Sequence, residues 1–172
     1  LIDNNSKISN DASLLITPSY YSSNLNFIKK ESLECSGYKY IILNRLITSP
    51  LYENRSWLIK KKLNIIQMKK GIKFFLGKHN FTAMRASSCA ARSPVKTITK
   101  AEIKKKGNKI VIIFESKSFL QKQVRSMVGC LKYVGENKWA PEKIKFVIKQ
   151  KKREFCAPPA PPDGLYLERV FY

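Results

Sequence analysis

The sequence predicts an α+β fold in which a mostly antiparallel sheet packs against helices. Three observations point to it. Val95, Thr97, Thr99, Ala101 and Ile103 alternate with other residues as in a half-buried strand, and Ile110 to Phe114 form a continuous apolar strand core. Gly107-Asn108 between them is a two-residue hairpin signal, which makes the pair antiparallel. Downstream, Leu120, Val124, Met127 or Val128, Leu131 and Val134 recur at helical spacing and stop at Gly135. Strands and helices thus follow one another in mixed order, as α+β folds require.

The remaining elements follow in chain order. Residues 1–25 are rich in Asn, Ser and Ile without a sustained period and read as a poorly ordered or degenerate lead-in, ahead of one domain over 26–172. Tyr38 to Leu43 is aromatic and β-branched, bounded by Gly37 and Asn44, and predicts a strand. Residues 45–59 read as loop with short extended pieces. From Leu63 to Leu76 the period becomes helical, through Ile65, Met68, Ile72 and Phe75, with Gly77 as the stop. Gly77 to Pro94 reads as loop. After the long helix, Pro141 and Glu142 suit the first turn of another, whose apolar stripe is Ile144, Val147 and Ile148. A proline-rich stretch, Ala157 to Pro162, then leads through Asp163-Gly164 into a last strand, Leu165 to Tyr172.

Composition narrows the function classes. The 172 residues, 44% of them hydrophobic, suffice for one core. The formal charge is +21, from 33 Lys and Arg against 12 Asp and Glu. Such a surplus repels itself and is best tolerated against a polyanion, RNA or DNA. An A/T-rich genome would raise Lys, Asn and Ile together, but it does not require acidic residues to be scarce. Cys35, Cys89, Cys130 and Cys156 are widely spaced and His79 is the single histidine, so neither a disulfide framework nor a zinc site is expected, and no metal. Without a signal-peptide pattern or a long apolar run, a cytoplasmic location and no membrane are expected. No zinc spacing, RNP-like strand or GXXG loop supports a DNA-binding or ribosome-associated protein.

Three segments carry a family pattern. The first is Leu76-Gly77-Lys78-His79-Asn80-Phe81-Thr82 with Arg85-Ala86-Ser87 and Ser93-Pro94-Val95-Lys96-Thr97. The second is Phe119-Leu120 with Val124-Arg125-Ser126-Met127-Val128-Gly129, and the third is Ala160-Pro161-Pro162-Asp163-Gly164-Leu165-Tyr166-Leu167. In order and spacing they resemble the TruA family of bacterial tRNA pseudouridine synthases. Upstream, Tyr38-Lys39-Tyr40 is similar to the family's Tyr-Arg-Tyr strand, and Asn26 to Ser32 more faintly to its Phe-His-Ala-Arg-Phe-Ser segment. Departures are Ile28 and Lys30 for the His and Arg of that segment, Gln121 for a common His, and Met84 for an aromatic residue. No stretch matches the Gly-Arg-Thr-Asp-Ala-Gly-Val-His segment that carries the family's nucleophile.

The resemblance implies a cofactor-free isomerase acting on uridines of the tRNA anticodon stem-loop, as a homodimer. The reaction breaks the bond from ribose C1′ to base N1, turns the uracil and rejoins it through C5. A carboxylate suits it as nucleophile or as stabiliser of a cationic sugar, and the base must leave the stack. By the resemblance, Tyr38 packs against the uracil and Arg125 pairs with the catalytic Asp. A charged residue interrupting the apolar register at 125 independently suggests a partner. The carboxylate itself is not identified. Asp163 sits in a Pro-Asp-Gly turn, Asp3 stands near position 1, and Asp11 only echoes Thr-Asp-Ala-Gly. The chain is shorter than the family and begins with Leu1, its first Met being Met68, so a missing upstream segment is expected to carry the Asp. The alternative is a non-catalytic RNA-binding remnant. Arg85, Arg92 and Lys96 are the candidate phosphate contacts. His79 is either an RNA contact or a structural histidine. The lysine runs at 60–62, 69–70, 104–106 and 149–153 each read as solvated faces that together could track an RNA backbone.

Overall fold

The computed structural model describes residues 35–171. Tyr38-Lys39-Tyr40-Ile41-Ile42-Leu43 lies within β1 (Cys35–Asn44), the strand on which the sheet is organised. It is followed by β2 (Trp57–Ile59), α1 (Ile65–Ile72), β3 (Gly77–Asn80), β4 (Val95–Lys106), β5 (Lys109–Ser116), α2 (Gln123–Gly135), α3 (Lys143–Gln150) and β6 (Leu165–Phe171). In the described residues these strands form one six-stranded sheet in the order β2–β1–β5–β4–β3, with β6 also on β1. One edge of β1 pairs antiparallel with β5 along its length, Tyr38 facing Phe114 and Leu43 facing Lys109. Its other edge is shared. β6 takes Cys35 to Tyr40 antiparallel, and β2 takes Ile42 to Asn44 parallel. The fold is therefore α+β and mostly antiparallel, as expected.

Among the described residues, the three α-helices share one core with the sheet. Tyr40, Ile42, Ile112 and Phe114 project from the sheet into a core completed by Met68, Phe75, Met127, Leu131 and Val147. α1 starts where Asn64 accepts a hydrogen bond from the Gln67 amide, satisfying one of the unpaired donors of the first turn. At the start of α2 the side-chain oxygen of buried Gln123 accepts from the Leu120 amide at 2.8 Å, fixing the entry of the chain.

Several boundaries differ from the sequence reading, and one short extended piece gains a partner. The expected helix to Leu76 ends as α-helix at Ile72 and tightens into a 3₁₀ turn, Lys73–Phe75. The segment 77–94, expected to be loop, opens with β3, which completes the sheet by pairing with Val95 to Ile98. Residues 57–59 are one of the short extended pieces expected over 45–59 and, among the described residues, the parallel partner of β1. The helices expected from Leu120 and Pro141 begin at Gln123 and Lys143. The lead-in, Asp3, Asp11 and the segment Asn26 to Ser32 lie outside the described residues.

Candidate active site

The three motif segments converge at the end of the sheet where β1 begins. Arg125, on the first turns of α2, is half-buried. Its Nε donates to the Ala160 carbonyl at 2.6 Å, and the Ala160 amide donates back to the Arg125 carbonyl at 3.0 Å. This reciprocal pair fixes the plane of the guanidinium. Among the described residues no carboxylate lies within ion-pair distance of it. A planar fork held at Nε suits a carboxylate at its terminal nitrogens.

The Ala-Pro-Pro-Asp-Gly segment is held from two further directions. Fully buried Tyr40 donates its phenol to the Pro161 carbonyl at 2.7 Å. Burial pushes its ionisation well above the ordinary tyrosine value; Arg125 nearby opposes this and Asp163 adds to it. Close backbone approach explains two glycines. A Cβ on Gly129 would stand 2.1 Å from the Pro158 carbonyl oxygen, and one on Gly164 would stand 2.6 Å from the Ile41 carbonyl oxygen. Tyr40, Gly129 and Gly164 received no role from the sequence. The available signals were the repeated aromatic at i and i+2 and a glycine inside a helical period.

Tyr38 lies two residues along β1 on the same face, half-buried, its ring edge-on to Phe119 with centroids 5.2 Å apart. Ser118, next to Phe119, accepts a hydrogen bond from Lys96 Nζ at 2.8 Å, so Lys96 is tied to the same corner. His79 faces Lys96 across β3 and β4. Its Nε2 lies 2.7 Å from the Leu76 carbonyl oxygen and its ring is edge-on to Phe81, which gives it a structural seat on β3. Arg85 and exposed Arg92 stand on the loop between β3 and β4. That loop is pinned to the segment before α2, where the Ala86 amide donates to the Gln121 carbonyl and Ser88 Oγ to Gln121 Oε1.

Other sequence expectations resolve differently. Arg153, grouped with the lysines before it, donates to the Ala83 carbonyl, Ser126 Oγ and the Ala157 carbonyl, and so ties α2 to the proline-rich segment. Asp163 is exposed within a 3₁₀ turn, Pro162–Gly164, as the Pro-Asp-Gly signal implies. A hollow of about 350 Å³ opens among Pro50, Tyr52, Trp57 and Asp163, apart from Tyr38 and Arg125. Among the described residues no three His, Cys, Asp or Glu side chains gather as a metal-binding group, and no helix is long and apolar enough to cross a membrane.

Comparison with known proteins identifies the family. Residues 72–172 match the family described as tRNA pseudouridine synthase. The chain is similar to tRNA pseudouridine synthase A of Pelagibacter ubique (strain HTCC1062), 55% identical over 148 residues that make up 86% of this chain and 60% of the relative. It is also similar to the proteins of that name from Orientia tsutsugamushi (strain Ikeda), at 42% identity over 86% of this chain and 53% of the relative, and from Rhodopseudomonas palustris (strain BisA53), at 37% over 91% and 61%. The chain thus spans little more than half the length of the relatives it matches. With the matched region containing β4, α2 and the Ala-Pro-Pro-Asp-Gly turn, this chain belongs to the tRNA pseudouridine synthase family.

Proposed function

We propose that this chain is the substrate-binding and arginine-bearing part of an isomerase that converts uridine to pseudouridine in the anticodon stem-loop of tRNA. It acts without a cofactor, in the cytoplasm, as a homodimer. The observation that carries this reading is Arg125, fixed by Ala160 in a corner shared with Tyr40 and Tyr38. Its role is to orient and keep ionised a catalytic carboxylate supplied from outside residues 35–171. That carboxylate attacks, or stabilises, ribose C1′ as the bond to N1 breaks. The uracil anion turns and C5 bonds to C1′, displacing the carboxylate where it had attacked; the C5 proton is then lost while N1 gains one, so that the product is an isomer of the starting uridine. Tyr38 and Phe119 offer the aromatic wall against which a uracil outside the stack rests. Lys96, Arg85 and Arg92 border the same corner and contact the flanking phosphates. His79, opposite Lys96 on β3, serves as a structural residue.

The carboxylate supply sets the test. Asp163 belongs to a turn, and Asp11 is the one weak candidate among the remaining aspartates. Purified chain incubated with unmodified tRNA is expected to form no pseudouridine, and addition of the missing part of a relative is expected to restore turnover. In that reconstituted enzyme Arg125→Met should lower the single-turnover rate by about 10²–10³ with most tRNA affinity retained, the range for removing one preorganised electrostatic donor. An unchanged rate removes Arg125 from the mechanism. Turnover by the chain alone that disappears in Asp11→Asn would instead make Asp11 the nucleophile. A chain that binds tRNA yet cannot be complemented would be a non-catalytic remnant.

A further inference from the structure

At the other end of the sheet, two lysine runs distant in sequence are brought together around one side chain. Asn44 closes β1. Its amide donates to the Asn108 carbonyl at 2.7 Å, in the β4–β5 turn. Its Nδ2 donates to the Ile59 and Lys61 carbonyls, both at 2.8 Å, and its Oδ1 accepts from the Leu63 amide at 3.1 Å. Asn44 therefore fastens the 60–62 run against the hairpin tip, where Lys105 and Lys106 end β4 opposite Ile110 and Lys109.

Two neighbouring lysines have local partners. Lys104 lies 3.4 Å from Glu102, and Lys109 stands over the Tyr52 ring at 5.7 Å. Lys60, Lys61, Lys62, Lys105 and Lys106 are exposed, and among the described residues none has a carboxylate within ion-pair distance. A solvated lysine face on a helix spreads its charges along an axis. Here, hydrogen bonds from the Asn44 side chain and backbone hold five charges at one strand end, so they act together on anything within a Debye length of about 8–10 Å. The patch, at Asn44, lies six residues along β1 from Tyr38, roughly 20 Å at strand rise. Contacts to a uridine at Tyr38 do not reach it, but a polyanion extending away from that uridine does.

We propose that this patch is a second phosphate-binding surface, which grips the backbone of tRNA outside the anticodon stem-loop. The proposal rests on the tRNA reading given above. A variant with Lys60, Lys61, Lys62, Lys105 and Lys106 all changed to Gln is compared with a charge-matched control carrying Lys69, Lys70, Lys145, Lys149 and Lys151 changed to Gln. All ten are exposed, and urea midpoints verify that both variants fold. Binding of whole tRNA and of an isolated anticodon stem-loop is measured across salt concentrations. The patch variant should bind whole tRNA at least about tenfold more weakly than the control. The slope of log K against log salt should become shallower by about 2–4, at roughly 0.7–0.9 for each phosphate that is no longer neutralised. Binding of the stem-loop should be the same for patch variant and control. Equal binding of whole tRNA by both variants overturns the patch alone. A wild-type chain that binds neither RNA in a salt-dependent way overturns the tRNA reading and the patch together.

Discussion

Gly129 shows how one missing side chain can position a functional group. In an exposed helix interior, Gly→Ala stabilises by about 1 kcal/mol. Here the added methyl would sit 2.1 Å from the Pro158 carbonyl oxygen, a backbone atom that cannot swing aside. The proline-rich segment must then lift, and Ala160, which holds Arg125, lifts with it. Gly129→Ala is expected to destabilise by about 2–3 kcal/mol, as overpacking does, measurable as a lower urea midpoint. A second residue-scale consequence concerns the thiol pair at the start of that segment. Cys130 Sγ and Cys156 Sγ are 3.6 Å apart. A hydrogen bond from Cys130 lowers the Cys156 thiol below its ordinary value; burial opposes this, and Arg153 assists. The same contact, with burial, pushes Cys130 up. Half-buried Cys156 should be alkylated by iodoacetamide faster than buried Cys130. Its rate should rise through a pH midpoint below that of an ordinary thiol, read site by site by mass spectrometry.

At the scale of elements, periodicity made the long pieces legible and left the short ones hidden. β1, β4, β5, α2 and α3 each bury a face long enough to impose a period of two or 3.6 residues. β3 is only Gly-Lys-His-Asn, without apolar alternation, and β2 has three residues. They are strands because β4 and β1 offer them open edges, a property of the assembled sheet. The same holds for the site. Arg125 and Tyr38 were singled out through motif resemblance, whereas the contacts that shape their surroundings, from Ala160 to Arg125, Pro161 to Tyr40 and Pro158 to Gly129, join segments far apart in the chain. The C-terminal end of α2 supports an element-scale prediction. Burial raises the Glu136 carboxyl, but hydrogen bonds from Lys132 and Lys138 outweigh it and leave the group below its ordinary value. A carboxyl depressed in the folded state stabilises above its unfolded pKa of about 4.3, and this contribution disappears as pH falls through the folded value. Glu136→Gln should therefore cost about 1 kcal/mol at neutral pH. Wild type and variant should converge in stability below about pH 4, as followed by urea unfolding at a series of pH values.

For the whole molecule, the sheet has two chemically distinct ends. One gathers Tyr38, Phe119, Lys96 and Arg125, and the other gathers the lysines around Asn44. β1 connects them and shares one edge between β2 and β6. That shared edge has a consequence for how the protein comes off the ribosome. β2 follows β1 closely and can pair with Ile42 to Asn44 soon after both emerge. The half of β1 that carries Tyr38 and Tyr40 waits for β6, whose residues are made more than a hundred codons later. At roughly 5–20 residues per second, that edge stays open for several seconds or more of synthesis, with unpaired backbone groups available to any passing strand. The Tyr38 end of the sheet is thus the later end to close. A slow stretch of codons ahead of β6 would lengthen its exposure and lower the yield of folded chain without altering a single amino acid.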